Sequence, residues 1–340
     1  MDLSRLSSVL KDEPKYRYKQ AYKAIYQDLI EDWQEATSLP AELRNALAED
    51  CPLEIRAEIF ISPKGASKTL FTLSDGLKIE AVLIEHKDGR RTVCVSSQVG
   101  CPLGCLFCAT GRIGFKRNLS REEIVEQVLF FARYLKRRDA QISNVVFMGM
   151  GEPFLNYDNV IGAIRFLNSS ETMNLGARRF SISTAGITHG IHKLAKENLE
   201  VNLALSLHSA DNALRSRIMP INKKYPLDKV LAAVRDYISL TRRRVMFEYV
   251  MIKDLNDSIE DARKLAALLK GYLGFINLIA YNETDMFKPS PADRIKKFKE
   301  ILEGSRLTVI ERHRFGENID AACGQLAAKG KFKNAGQSRR

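Results

Sequence analysis

From about residue 90 onward, short apolar runs ending in polar residues recur between longer stretches of helical periodicity. The runs are TVCVSS (92–97), NVVFMGMG (144–151), FSISTAG (180–186), VNLALSLHS (201–209), VMFEYVMI (245–252), FINLIAYN (275–282) and LTVIERH (307–313). Each has the length and the β-branched and aromatic content of a strand. Between them lie helix starts: Ser120-Arg121-Glu122-Glu123 spells a capping box ahead of IVEQVLFFARYL, and Asp257-Ser258 precedes a helix running towards Gly271. Strands alternating with helices predict an α/β fold with a parallel sheet or barrel.

Upstream the period changes. Residues 70–84 alternate apolar and polar around the turn signal Ser74-Asp75-Gly76, predicting a hairpin that leads into the main domain. Residues 1–75 read as a small basic helical domain, with Tyr18, Ala21, Ala24, Ile25 and Leu29 at helix-compatible intervals. The main domain is expected over 76–328, with its core over about 90–305, and 329–340 as a basic tail without apolar periodicity.

The polar residues that close the strands form a second pattern: Gly149-Met150-Gly151-Glu152-Pro153, Ser183-Thr184, Ser206-Leu207-His208 and Asn282. In parallel α/β architectures the carboxyl ends of all strands face one rim, so these residues are expected to share one mouth. The run Cys101-Pro-Leu-Gly-Cys105-Leu-Phe-Cys108 follows the first of these strands and belongs to the same rim.

Composition changes the picture in two ways. Lys+Arg number 53 against 41 Asp+Glu, a formal charge of +12, with clusters at Lys136-Arg137-Arg138, Arg178-Arg179 and Arg242-Arg243-Arg244, which favours a polyanionic partner such as RNA. The amino-terminal residues are interrupted by charge too early for a signal-peptide core, and no segment reaches the roughly 18 apolar residues of a membrane span, so a cytoplasmic protein without a membrane partner is expected. In a reducing compartment the six cysteines speak for metal or catalysis rather than a disulfide framework. C-x3-C-x2-C supplies three thiolates and no nearby fourth. A structural zinc site closes itself with four protein ligands, whereas three cysteines leave one iron of a cubane cluster open to a non-protein ligand. A zinc site completed by Cys94 is the competing reading, and it would make the chain a non-catalytic zinc-dependent RNA-binding module. Cys94 taken alone reads as a buried strand cysteine, and Cys51 matches no motif and reads as structural.

The cysteine run, together with CVSSQVGCPLGCLFCATG, MGMGEPFLN, SISTAGI, LALSLHSA, RSRIMPIN and NIDAACGQL, resembles the radical S-adenosylmethionine enzymes and, more narrowly, the RlmN/Cfr group of RNA adenine methyltransferases. Similar motifs run from about residue 79 to 328, and GEP at 151–153 with STAG at 183–186 resembles the RlmN branch. The resemblance implies a partial (β/α)6 barrel with a helical amino-terminal domain, a [4Fe-4S] cluster on Cys101, Cys105 and Cys108, and two S-adenosylmethionine molecules consumed per methylation. It implies cofactor contacts at Gly151, Glu152, Ser183, Ser206, Leu207, His208 and Asn282. Cys323 would carry the methyl group as S-methylcysteine, Cys94 would resolve the protein–RNA adduct through a transient disulfide, and Glu80 would accept a proton. The implied reaction is methylation of adenine C2 in 23S ribosomal RNA at the peptidyl-transferase centre and at position 37 of some transfer RNAs. A Cfr-like enzyme would instead modify C8 of the same ribosomal adenine. A monomer served by an electron donor such as flavodoxin or ferredoxin is implied as well.

Arg112, Lys116, Arg117, Arg178, Arg179, Arg215 and Arg217 lie near the motif loops and are expected along an RNA path. An adenine must leave its stack to enter a barrel mouth, so recognition is expected to depend on local RNA shape.

Overall fold

A computed structural model describes residues 1, 3–63, 65–283, 286–312 and 325–326. Three helices open the chain: α1 (Leu6–Val9), α2 (Tyr16–Tyr26) and α3 (Ala41–Asp50). Four strands follow, β1 (Ala57–Ser62), β2 (Ala66–Thr72), β3 (Lys78–Glu85) and β4 (Arg91–Cys94), each antiparallel to the one before. The hairpin expected around Ser74-Asp75-Gly76 joins β2 to β3.

The helical reading of residues 1–75 therefore needs correction, because helix ends at Asp50 and residues 57–72 are sheet. AEIFIS and ASKTLFT are rich in β-branched and aromatic residues, and pairing with β3 gives them an edge to extend. Leu29, assigned above to a helical face, lies beyond α2 in a left-handed turn with φ 55°.

After β4 come the short pair β5 (Gln98–Gly100) and β6 (Phe115–Asn118), flanking a one-turn helix α4 (Ala109–Arg112). Next, α5 (Arg121–Lys136), β7 (Asn144–Phe147), α6 (Tyr157–Asn168), β8 (Phe180–Thr184), α7 (Thr188–Leu194), β9 (Asn202–Ser206), α8 (Asn212–Ile218) and α9 (Leu227–Thr241) alternate. The chain continues through β10 (Val245–Met251), α10 (Ile259–Leu269), β11 (Gly274–Ala280), α11 (Ala292–Gly304) and β12 (Val309–Arg312). The main sheet runs β1-β2-β3-β4-β7-β8-β9-β10-β11-β12, parallel from β4 onward. Six strand–helix units precede β12, and β1 and β12 do not pair, so this is an open (β/α)6 barrel. The expected capping box at Ser120 forms, and a second stands ahead of α10. Ser120 Oγ accepts from Glu123 N at 3.1 Å while Glu123 Oε2 accepts from Ser120 N at 2.9 Å, and Ser258 and Asp261 repeat the exchange ahead of α10.

One apolar cluster extends from Leu6 and Trp33 through the sheet to Leu302, so the amino-terminal helices share the core of the barrel. Tyr26 stands edge-on to Phe166 of α6 at 4.8 Å, and the buried Arg133 of α5 donates to Leu53 O at 3.0 Å. Cys51 is fully buried in this cluster and its carbonyl accepts from Trp33 Nε1 at 2.7 Å.

Because the Ser120 cap fixes the start of the helix that links β4 to β7, Ser120→Ala is expected to cost about 1 kcal/mol of unfolding free energy, read from urea midpoints, whereas a shift below a few tenths would show that packing alone sets this helix end.

Candidate active site

The cysteine loop is launched by steric necessity. Gly100 has φ +76°, and a Cβ there would lie 1.8 Å from Gly114 O, so only glycine lets β5 and β6 approach closely enough to pinch the loop at its base. Cys101 N then donates to Gly114 O at 3.0 Å, and Leu106 N donates to Ile218 O at 3.0 Å, pinning the loop centre to the end of α8. After β7 the chain turns through Gly151, whose φ is +104° and where a Cβ would lie 2.7 Å from Gln98 Cβ, which excludes a side chain.

One cavity at the carboxyl ends of the parallel strands gathers residues from across the sequence. Cys94, Cys101, Cys105, Cys108, Gly151, Glu152, Ser183, Ser206, His208 and Asn282 all line it. Leu207 does not: its side chain is buried in the core, its N–H donates to Glu248 O at 3.0 Å and its carbonyl accepts from Arg215 Nε at 3.0 Å. Glu80 stands one pleat from Val82, which lines the cavity, and is sealed in an ion pair with Lys68 at 3.2 Å, the two side chains 1% and 2% exposed. Cys323 falls outside the described residues. Leu326, three positions later, lines the cavity, and its carbonyl accepts from Thr110 Oγ1 at 2.6 Å.

Burial governs the electrostatics. It pushes the Cys101 thiol up to about 12 and holds Cys105 well above its ordinary value, so metal binding would have to release their protons. Glu152 is pushed up to about 7 by burial, against hydrogen bonds from Ala185 N at 2.8 Å and Phe154 N at 3.1 Å. His208 falls to about 3, first through burial and then through Arg215; its Nδ1 accepts from Val250 N at 3.1 Å, which fixes the neutral ring, and the Phe107 ring of the cysteine loop packs edge-on to it at 4.9 Å.

Three of the basic residues expected on an RNA path are engaged within the fold. Arg215 is fully buried and donates to Ala185 O at 2.7 Å, Ser206 O at 3.0 Å and Leu207 O at 3.0 Å, and also to Asn222 Oδ1. Arg117 bridges Asp75 at 2.7 Å and Glu123 at 2.8 Å, and Arg178 pairs with Glu200 at 2.9 Å. The cluster 136–138 also serves packing: Lys136 donates to Asp28 O, Arg137 pairs with Glu31 and Arg138 pairs with Glu85. Charge alone could not separate the buried Arg215 from exposed Lys116 and Arg217.

Sequence reasoning missed Glu248, the fourth residue of VMFEYVMI. It is 4% exposed, lines the cavity, and accepts at Oε2 from Ser183 Oγ at 2.6 Å, while Oε1 is buried with no hydrogen-bond partner among the described residues. A buried acceptor left so costs about 1–3 kcal/mol. The available signal was register, since Glu248 lies opposite Ser206.

Residues 95–266 match the Radical SAM superfamily. The chain is 46% identical over 329 residues to a probable dual-specificity RNA methyltransferase RlmN from Dictyoglomus turgidum, covering 96% of this chain and 94% of that protein. It is 42% identical to the protein of the same name from Symbiobacterium thermophilum, covering 99% and 92%. A radical SAM methyltransferase from Sphaerobacter thermophilus, known from its crystal structure, superposes with a TM-score of 0.91 at 42% identity, covering 97% of this chain and 98% of that one. The chain belongs to the RlmN family of radical SAM RNA methyltransferases.

Membership of this family implies a [4Fe-4S] cluster and S-adenosylmethionine. The donor set fits: three thiols on one loop face one cavity, and C-x3-C-x2-C leaves one iron of a cubane without a cysteine ligand from this loop.

Two outcomes follow. Lys68→Met strands a buried carboxylate and is expected to cost about 3–5 kcal/mol, with most of the loss recovered in Lys68→Met/Glu80→Gln; equal losses in both would show that the pair is not the source. His208 binds its proton near 3 rather than at its ordinary 6.5, so on acidification the unfolded chain gains a proton that the fold refuses, withdrawing up to roughly 1.4 kcal/mol per pH unit. His208→Asn keeps an acceptor for Val250 N and should flatten the fall in unfolding free energy between pH 6.5 and 5 relative to the parent; identical slopes would contradict the neutral assignment.

Proposed function

We propose that this chain methylates C2 of adenine in 23S ribosomal RNA and in a subset of transfer RNAs. In this reading Cys323 carries the methyl group, Cys94 resolves the adduct and Glu80 takes the C2 proton. The observation that carries it is the shared cavity: Cys94 and Leu326, from opposite ends of the barrel sequence, both face the space lined by Cys101, Cys105 and Cys108. Leu326, whose carbonyl accepts from Thr110 Oγ1, follows Cys323 by three positions in the sequence.

Adenine C2 lies between two ring nitrogens and is too electron-poor to attack a methyl sulfonium. When bound, the cluster and S-adenosylmethionine supply an electron and a radical able to abstract hydrogen from a methyl group. The chain's residues do the rest. Cys323 accepts a methyl group on Sγ and, after hydrogen abstraction, joins its carbon to C2; the odd electron left on the ring would return to the oxidised cluster, and the C2 proton goes to Glu80. Cys94, as thiolate, attacks Cys323 Sγ, so the S–C electron pair leaves with the carbon, which takes up a proton to become the methyl group, and the Cys94–Cys323 disulfide is reduced before the next turnover. Glu80, held beside Lys68, is placed on the β3 face shared with Val82 and Ile84, both of which line the cavity. Glu152, on the cysteine side of the mouth where its charge is felt by Cys101 and Cys105, would meet the ammonium of the methionine moiety. Two molecules of S-adenosylmethionine are consumed, one for the methyl group and one for the radical.

Around the cysteine loop, exposed Ile113 and Phe115 alternate with Arg112 and Lys116, an apolar and basic rim suited to an unstacked base and its phosphates. The amino-terminal helices would extend this RNA-binding surface, and the enzyme would act in the cytoplasm as a monomer served by flavodoxin or ferredoxin.

Anaerobic reconstitution with RNA, followed by mass spectrometry of the modified nucleoside, is expected to give 2-methyladenosine. Cys323→Ala should eliminate it, and Cys94→Ala should accumulate a nuclease-sensitive protein–RNA adduct on denaturing gels. Methyl at C8 would reassign the enzyme to the Cfr type, and continued C2 methylation by Cys323→Ala would overturn the mechanism.

A further inference from the structure

The antiparallel strands ahead of the barrel bring a buried charged pair to its mouth. Lys68 of β2 and Glu80 of β3 meet at 3.2 Å, with side chains 2% and 1% exposed. β3 runs antiparallel to β4 and pairs Val82 with Cys94, so Glu80 lies one pleat nearer the carboxyl end of β4 than Val82 does. Lys68 stands opposite Val82, one pleat deeper than Glu80, and reaches diagonally to Glu80 Oε1. The backbone of Glu80 is fastened too. Its N–H donates to Met150 Sδ at 3.4 Å, and its carbonyl accepts from Ser96 Oγ at 2.6 Å, the same hydroxyl that accepts from Met150 N at 2.8 Å. Glu80 is thereby tied to the turns after β4 and β7.

Stability does not account for this pair. Desolvating two charges costs about what their attraction returns, and an apolar pair of similar volume commonly does as well or better. The strand face around Lys68 presents Ala66, Leu70, Val82, Ile84 and Cys94, all buried, so apolar side chains would suit the site. What an apolar pair cannot supply is a charge. A carboxylate sealed from water stays ionised only beside a counter-charge, and without one burial favours the neutral acid, which has no use as a base.

We propose that Lys68 is a positioning residue for proton removal, holding Glu80 ionised and in place until the RNA adduct forms. The inference rests on the reading above that Glu80 takes the C2 proton. In that step one proton moves from C2 to the Glu80 carboxylate, the C–H electron pair stays with the adenine ring, and Lys68 keeps all its protons. A compact ammonium with three rotatable donors can keep hold of Oε1 as the carboxylate becomes an acid.

The test uses the anaerobically reconstituted holoenzyme with S-adenosylmethionine and an RNA carrying the target adenine. Mass spectrometry and chromatography would read 2-methyladenosine formed per 5′-deoxyadenosine released, for the parent, Glu80→Gln, Lys68→Met, Lys68→Gln and Lys68→Arg. Loss of an ionised base predicts that this ratio falls about a hundredfold in Lys68→Met and in Glu80→Gln, and that Lys68→Arg, which keeps the charge, recovers most of it. A lysine that merely supports the fold would lower both products in proportion and leave the ratio at the parent value, which would overturn the proposal. Should Lys68→Met not fold, Lys68→Gln keeps a donor to Oε1 without its charge, and a parent-like ratio there would overturn the proposal equally. A parent-like ratio in Glu80→Gln would instead remove Glu80 from the reaction and with it the reading on which the inference stands.

Discussion

The buried guanidinium of Arg215 fixes the mouth of the barrel. Parallel strands spread as they end, and their last carbonyls lose the neighbouring amides that satisfied them along the ladder. Arg215 reaches back from α8 and caps Ala185, Ser206 and Leu207, carbonyls belonging to two adjacent strand ends, while holding Asn222 on the other side. Burial alone draws its pKa down to about 10, still far above neutrality, so the charge persists and the fork of donors stays complete. Ser183, Ser206 and His208 keep their relative placement because the turns after β8 and β9 end on this one cation, and Glu152 joins them by accepting from Ala185 N.

How much of this was legible in the residues follows from how local each signal was. The parallel strands declared themselves by apolar runs, the Ser120 capping box by its four-residue spacing, and the cysteine loop by its own triplet. Polar residues at strand ends were found because a parallel sheet sends all carboxyl ends to one side. The strands at 57–72 were misjudged because their partner β3 lies further along the chain, and β5 and β6 are too short to show a period. Glu248 was invisible for a related reason: inside VMFEYVMI it reads as an interruption, and only its register against Ser206 reveals a shared surface.

Charge was the least transferable signal. A count of +12 suggests a polyanion, yet Arg215 is a scaffold, Arg117 is a strut between Asp75 and Glu123, and Lys136 and Arg137 tie α5 to Asp28 and Glu31 in the segment after α2. The rim proposed for RNA lies close to the cysteine loop, where exposed Phe115 stands beside Lys116.

The Thr110–Leu326 hydrogen bond joins positions separated by 216 residues. A chain made from its amino end presents the cysteine loop long before the residue that anchors to it has been synthesised. The cysteines therefore pass through a period of synthesis without their final covering, and the cavity is completed among the last events of folding.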